Sequence, residues 1–135
     1  MFTKNEDDHV EPVRIGIVSS VNLKAGTARV FFPDRDESVS PELYVIQTNT
    51  LKQKSYWMPD VDEQVVCLFL STGQETGFIV GSYYSEADAP VPEISQAGQK
   101  RCGLWIDEGN FIKWVEEERK FVVKSENPID WLVGE

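Results

Sequence analysis

Residues 57–70 read WMPDVDEQVVCLFL. Trp57 and Met58 lead into Pro59, and Asp60, Asp62 and Glu63 precede the apolar run Val65-Val66-Cys67-Leu68-Phe69-Leu70. The run is too short to cross a bilayer, which takes about 20 apolar residues. It contains no base, nucleophile or metal cluster. Pro59 ends local regularity, and Asp60–Glu63 has the composition of a turn. Gln64–Ser71 then reads as a strand that is apolar on both parities. Such a strand is buried on both faces, or shared between a barrel core and a partner.

The neighbouring segments supply partners for that strand. After the polar turn TGQETG (72–77), GFIVGSYY (77–84) reads as a paired strand, with Gly77 and Gly81 marking a bend or a close approach. VRIGIVSSV (13–21) is rich in β-branched residues and places Val13, Ile15, Ile17 and Val21 on one parity. Gly16 inside it suggests a bulge or a sharp bend. NLKAG (22–26) is a turn, and TARVFF (27–32) returns with Ala28, Val30 and Phe32 on one face, which makes a hairpin. PDRDESVSPE (33–42) reads as a loop, LYVIQTNT (43–50) as a third strand, and LKQKSY as a loop or a single helical turn. No segment keeps a 3.6-residue apolar period over three turns. A three-strand meander followed by a hairpin suits a small closed barrel of the oligonucleotide/oligosaccharide-binding (OB) kind. Ile15, Ile17, Val30, Phe32, Trp57, Val65, Cys67, Phe69 and Ile79 are its expected packing residues.

Composition limits the function. The chain has 135 residues, 41% hydrophobic and 27% charged, which suits one domain with a modest core, or one such domain plus a small appendage. Net charge is −10. Residues 1–100 hold 8 basic and 15 acidic residues, and residues 101–135 hold 5 and 8, so both parts are acidic. Nucleic-acid affinity rests on Lys and Arg against phosphate, and this balance opposes it. The N-terminal MFTKNEDDHVEP lacks a signal-peptide apolar run, so synthesis in a cytoplasm and two separate reduced thiols, Cys67 and Cys102, are expected. The only histidine is His9, in a polar arm over 1–12. One histidine and two distant cysteines do not make a four-ligand zinc site. No metal or cofactor is expected.

SEADAPVPEISQAGQK (85–100) is a linker stiffened by Pro90 and Pro92. Beyond it, GLWI, FIKWV, KFVV and IDWLV alternate with polar turns, which predicts a meander of four short strands. Such a meander is marginal alone in water. Leu104, Ile106, Phe111, Trp114, Phe121, Val123, Trp131 and Val133 would stay wet unless the meander folds back on the barrel or several copies combine. Lys124 marks a wet parity, which turns Phe121 and Val123 the other way.

These segments resemble the phage baseplate assembly protein V family, the central spikes of contractile phage tails and related injection machines. The resemblance covers about residues 13–92. It is carried by RIGIVSSVNLKAGTARVFFPDRD, the following SPEL, YWMPDVDEQVVCLFL and GFIVGSYYSEADAPVP. It implies an all-β chain: a flexible arm (1–12), an OB-like five-stranded barrel (13–85), a linker (86–100) and a short intertwined trimeric β-spike (101–135). It further implies a homotrimer in a phage or bacteriocin baseplate, made in the bacterial cytoplasm. Its partners would be a hub protein, a separate tip protein and, transiently, the target envelope. The family usually has Gly where this chain has Asp62, so a differently built turn is expected there. Longer spikes of the family often carry a His-x-His iron tip. No histidine follows His9, so a short blunt spike without tip iron is expected.

Two other functions compete. An OB-type binder of single-stranded nucleic acid or oligosaccharide would stack bases on Tyr44, Phe31 or Tyr83. Those aromatics sit in strand patterns that core packing explains. An enzyme would need to use pairs such as Asp34/Asp36 or Asp60/Asp62, which lie in turn contexts without a nearby histidine or nucleophile elbow. The sequence favours a machine part over either.

Overall fold

The computed structural model describes residues 11–34, 37–70, 76–90 and 102–134. His9 and most of the acidic arm, the greater part of the 72–77 turn, and residues 91–100 of the linker lie outside them. The chain divides into two compact units between Ser85 and Glu86.

The first unit is built from β1 (Val13–Asn22), β2 (Thr27–Phe32), β3 (Ser38–Val39), β4 (Leu43–Val45), β5 (Gln64–Phe69) and β6 (Gly77–Ser82). The strand order β1-β5-β6-β4-β2 closes through β1–β2 pairing, a five-stranded barrel with β3 added outside β2. Among the described residues only β4 and β6 pair in parallel. Closure leaves the ring without a long open edge. The third strand is shorter than its composition suggests. It ends at Val45, although the Ile46 N–H still donates to the Ile79 carbonyl at 3.0 Å.

The core is Val18, Ala28, Val30, Phe32, Leu43, Val65, Cys67, Phe69 and Ile79. β2 and β5 supply it by alternation, with Ala28, Val30 and Phe32 inward from one and Val65, Cys67 and Phe69 from the other. Phe32 and Phe69 meet edge to face at 5.9 Å.

β1 departs from the expected parity. Arg14, Gly16 and Val18 face inward, while Ile15 is 52% exposed and Ile17 half-buried. The cause lies at Gly16, where a Cβ would stand 2.4 Å from Val30 Cγ1 and 2.7 Å from the Phe31 carbonyl oxygen. Only glycine fits there, and fixing it inward turns every neighbour by the two-residue period. A bulge between Val18 and Ser20 resets the register, and Val21 packs against the core again. Arg14 is tolerated inside because its guanidinium lies 4.0 Å from the Phe32 ring centroid and 3.1 Å from Asp34 Oδ1.

The second unit holds β7 (Gly103–Asp107), β8 (Asn110–Val115) and β9 (Lys120–Lys124), an antiparallel three-stranded sheet. Asp107 Oδ1 shapes the first turn by accepting from the Gly109 N–H at 2.9 Å and Asn110 Nδ2 at 2.8 Å. The expected fourth strand is absent: residues 125–134 form no strand. Asp130 interrupts the short apolar run after Pro128, and Trp131 is 84% exposed. With no partner edge its backbone has no ladder to join.

Candidate assembly surfaces

The Trp57–Glu63 segment mounts β5 on the barrel. Gln47 receives it with both ends of its amide: Nε2 donates to the Trp57 carbonyl at 2.9 Å, and Oε1 accepts the Trp57 N–H at 2.8 Å. This holds the backbone outside the ring, and Trp57 is 53% exposed instead of packed in the barrel as its sequence context suggests. Trp57 lines a cleft of about 320 Å³ with Ile46, Met58, Pro59 and Val80. The following turn is not built differently for want of glycine. Asp62 itself adopts φ 76°, the left-handed conformation glycine favours. Its N–H donates to the Val18 carbonyl at 2.8 Å, and the Val18 N–H donates to the Glu63 carbonyl at 3.0 Å.

β5 is apolar on both parities because it has two faces to serve. Val65, Cys67 and Phe69 are buried, whereas Val66 is half-buried and Leu68 exposed. Cross-strand registry makes Val13, Leu68, Phe78 and Tyr44 one row over β1, β5, β6 and β4 on the outside of the barrel. Ile15 and Val66 form the next row. Val13, Leu68 and Tyr44 are exposed and Phe78 half-buried, so the row is an apolar surface on the outside of the barrel. Cys67, beneath it, is inert. Burial pushes its thiol up to about 11, and Arg14 pulls the other way. Cys67 and Cys102 are both free.

In the second unit, register separates the residues expected at an interface. Leu104, Ile112 and Val123 form one cross-strand row, and Trp114 and Phe121 pair beside them at 5.0 Å. This face is apolar throughout, and Leu104, Ile112, Phe121 and Val123 are exposed. Phe111 is not on it. It shares the opposite face with Trp105 at 6.0 Å, with Lys113 Nζ at 5.0 Å and Lys124 Nζ at 5.9 Å from its ring. That face carries the lysines, whose stems lie along its half-buried aromatics. Ile106 falls at a β-bulge between Trp105 and Asp107. Trp131 and Val133 lie on the strandless tail, away from any ladder. Ile112, by contrast, lies at the centre of the row between Leu104 and Val123. It shares strand parity with Trp114.

Both surfaces are apolar and largely exposed. Among the described residues no group of three or more His, Cys, Asp or Glu is placed to hold a metal. Residues 14–84, which hold this closed ring, match the model of the Type VI secretion system/phage-baseplate injector OB domain. The chain belongs to this injector family. The match spans more than half of it and covers the whole barrel ring apart from Val13. The injector OB domain carries with it a structural role in a baseplate and association with tail machinery. A search of the curated proteins found no match.

Proposed function

We propose that this injector-family chain forms the short central spike of a contractile tail or tail-like bacteriocin baseplate, as a homotrimer. In this reading three barrels seat on a hub protein at the end of the tail tube. The three C-terminal sheets close on one another to make a blunt β-structure that meets the target envelope, with or without a separate tip protein.

The observation that carries the reading is the apolar sheet face of Leu104, Ile112, Trp114, Phe121 and Val123. Each such side chain is worth about 1.5–3 kcal/mol when fully buried. A three-stranded sheet left with that face in water is marginal. Three copies with these faces inward would bury them together and leave Lys113, Lys120 and Lys124 in solvent. The exposed row Val13, Leu68, Phe78 and Tyr44 gives the barrel a second contact surface, suited to a neighbouring baseplate component.

Light scattering on the purified chain at micromolar concentration tests the assembly. A mass of three chains is expected. A stable monomer overturns the reading.

A further inference from the structure

On the first unit, the turn Leu23–Gly26 and the 47–56 loop border a cup of about 310 Å³, which meets the exposed apolar row of the barrel at Tyr44 alone. Its lining includes Lys24, Tyr44, Thr50, Lys54 and Tyr56, and no Asp or Glu. The chain as a whole carries a net charge of −10.

The cup is held open by its own hydrogen bonds. The Tyr56 hydroxyl donates to the Leu23 carbonyl, tying the loop to the turn. The Val45 N–H donates to the Gly26 carbonyl at 3.0 Å and anchors the turn on β4. Across the loop, the Thr48 N–H donates to Ser55 Oγ and the Ser55 N–H to the Asn49 carbonyl, each at 3.0 Å. These bonds occupy backbone groups, Ser55 and Tyr56. Among the described residues the Lys24 and Lys54 ammonium groups have no ion-pair partner. Both tyrosine rings remain more than half exposed.

We propose that this cup binds a sugar ring carrying a phosphate monoester. Two uncompensated ammonium groups match a phosphate, which carries about −1.5 to −2 at neutral pH, better than a carboxylate carrying −1. Exposed tyrosine rings offer apolar faces to the C–H side of a sugar, and the Thr50 and Tyr44 hydroxyls can exchange hydrogen bonds with its OH groups. The volume lies at the lower end of ligand pockets, about 300–1,000 Å³, which suits one or two rings and not a polymer groove. An extended strand of nucleic acid would need a longer basic track.

Amide NMR titration of the full chain tests this with glucose 6-phosphate, glucose, glucuronate, inorganic phosphate and a six-nucleotide oligothymidylate. Glucose 6-phosphate is expected to shift the Lys24–Gly26 and Lys54–Tyr56 amides saturably, in the millimolar range. Glucose, glucuronate and inorganic phosphate should each bind at least about tenfold more weakly. The double variant Lys24→Gln/Lys54→Gln should weaken glucose 6-phosphate about tenfold with an unchanged melting temperature, since both side chains are exposed. The proposal is overturned if glucose 6-phosphate leaves these amides unmoved, or if inorganic phosphate or glucuronate binds equally well. Tighter binding of the oligothymidylate at the same amides, or full affinity in the double variant, also overturns it.

Discussion

Asp62 shows how one residue can stand in for another at a cost. Its φ of 76° is left-handed, where a Cβ is strained by about 1–2 kcal/mol. Asp tolerates that region better than most residues, and the turn it makes is pinned to Val18 at both ends. Asp62→Gly should therefore keep the turn and raise stability by up to about 1 kcal/mol, since the greater freedom of unfolded glycine offsets part of the relief. Chemical denaturation measures this, and a loss of stability would mean that the carboxylate matters more than the backbone. Cys67 makes the opposite case, a reactive group silenced by its place. Its folded pKa of about 11 lies above the ordinary 9.0. The folded state holds the thiol proton more tightly, so this group's contribution to stability is complete below about pH 9 and is lost as pH rises toward 11. At pH 8, iodoacetamide should modify exposed Cys102 within minutes and Cys67 only after unfolding, as mass spectrometry of the peptides would reveal. Equal labelling of both would show that the barrel opens readily.

At the scale of the element, β9 is the sharpest case. Phe121 and Val123 lie on the apolar face with Ile112 and Trp114, and Lys120, Val122 and Lys124 on the other. Val123→Asp would set three carboxylates in an apolar interior if three sheets close as proposed, costing several kcal/mol per chain or forcing protonation. Light scattering should then report smaller species, while the far-ultraviolet strand signal of the barrel persists. Lys124→Asp should leave the mass unchanged, because Lys124 is exposed and lies on the face opposite Val123. A trimer broken by Lys124→Asp and intact in Val123→Asp would reverse the facing.

For the whole molecule, the ring of β1, β2, β4, β5 and β6 contains every core residue of the first unit. A chain ending near Ala97 should therefore fold cooperatively, with its core intact. It should assemble more weakly than the full chain, because the sheet face between Leu104 and Val123 is gone and large apolar interfaces dominate such assemblies. Thermal unfolding followed by circular dichroism checks the first expectation and sedimentation the second. An unfolded product would mean that the barrel needs the second unit. Full trimer affinity would mean that the barrels alone hold the assembly.

Alternation and turn chemistry were enough to read β2, β5, β6 and the three strands of the meander, because each satisfies its own two-residue period locally. The injector resemblance was legible for the same reason, since its motifs are runs of turn and strand. Three features were decided only by the folded molecule. The facing of β1 depends on contact between Gly16 and Val30, residues brought together by the closed ring, so Ile15 reads as core and is outside. The exposure of Trp57 depends on Gln47, which reaches it across 10 residues of loop. The strandless state of residues 128–134 depends on a ladder partner that the described residues do not provide. In each case local pattern states what a segment could do, and a contact made by a distant residue selects among those choices.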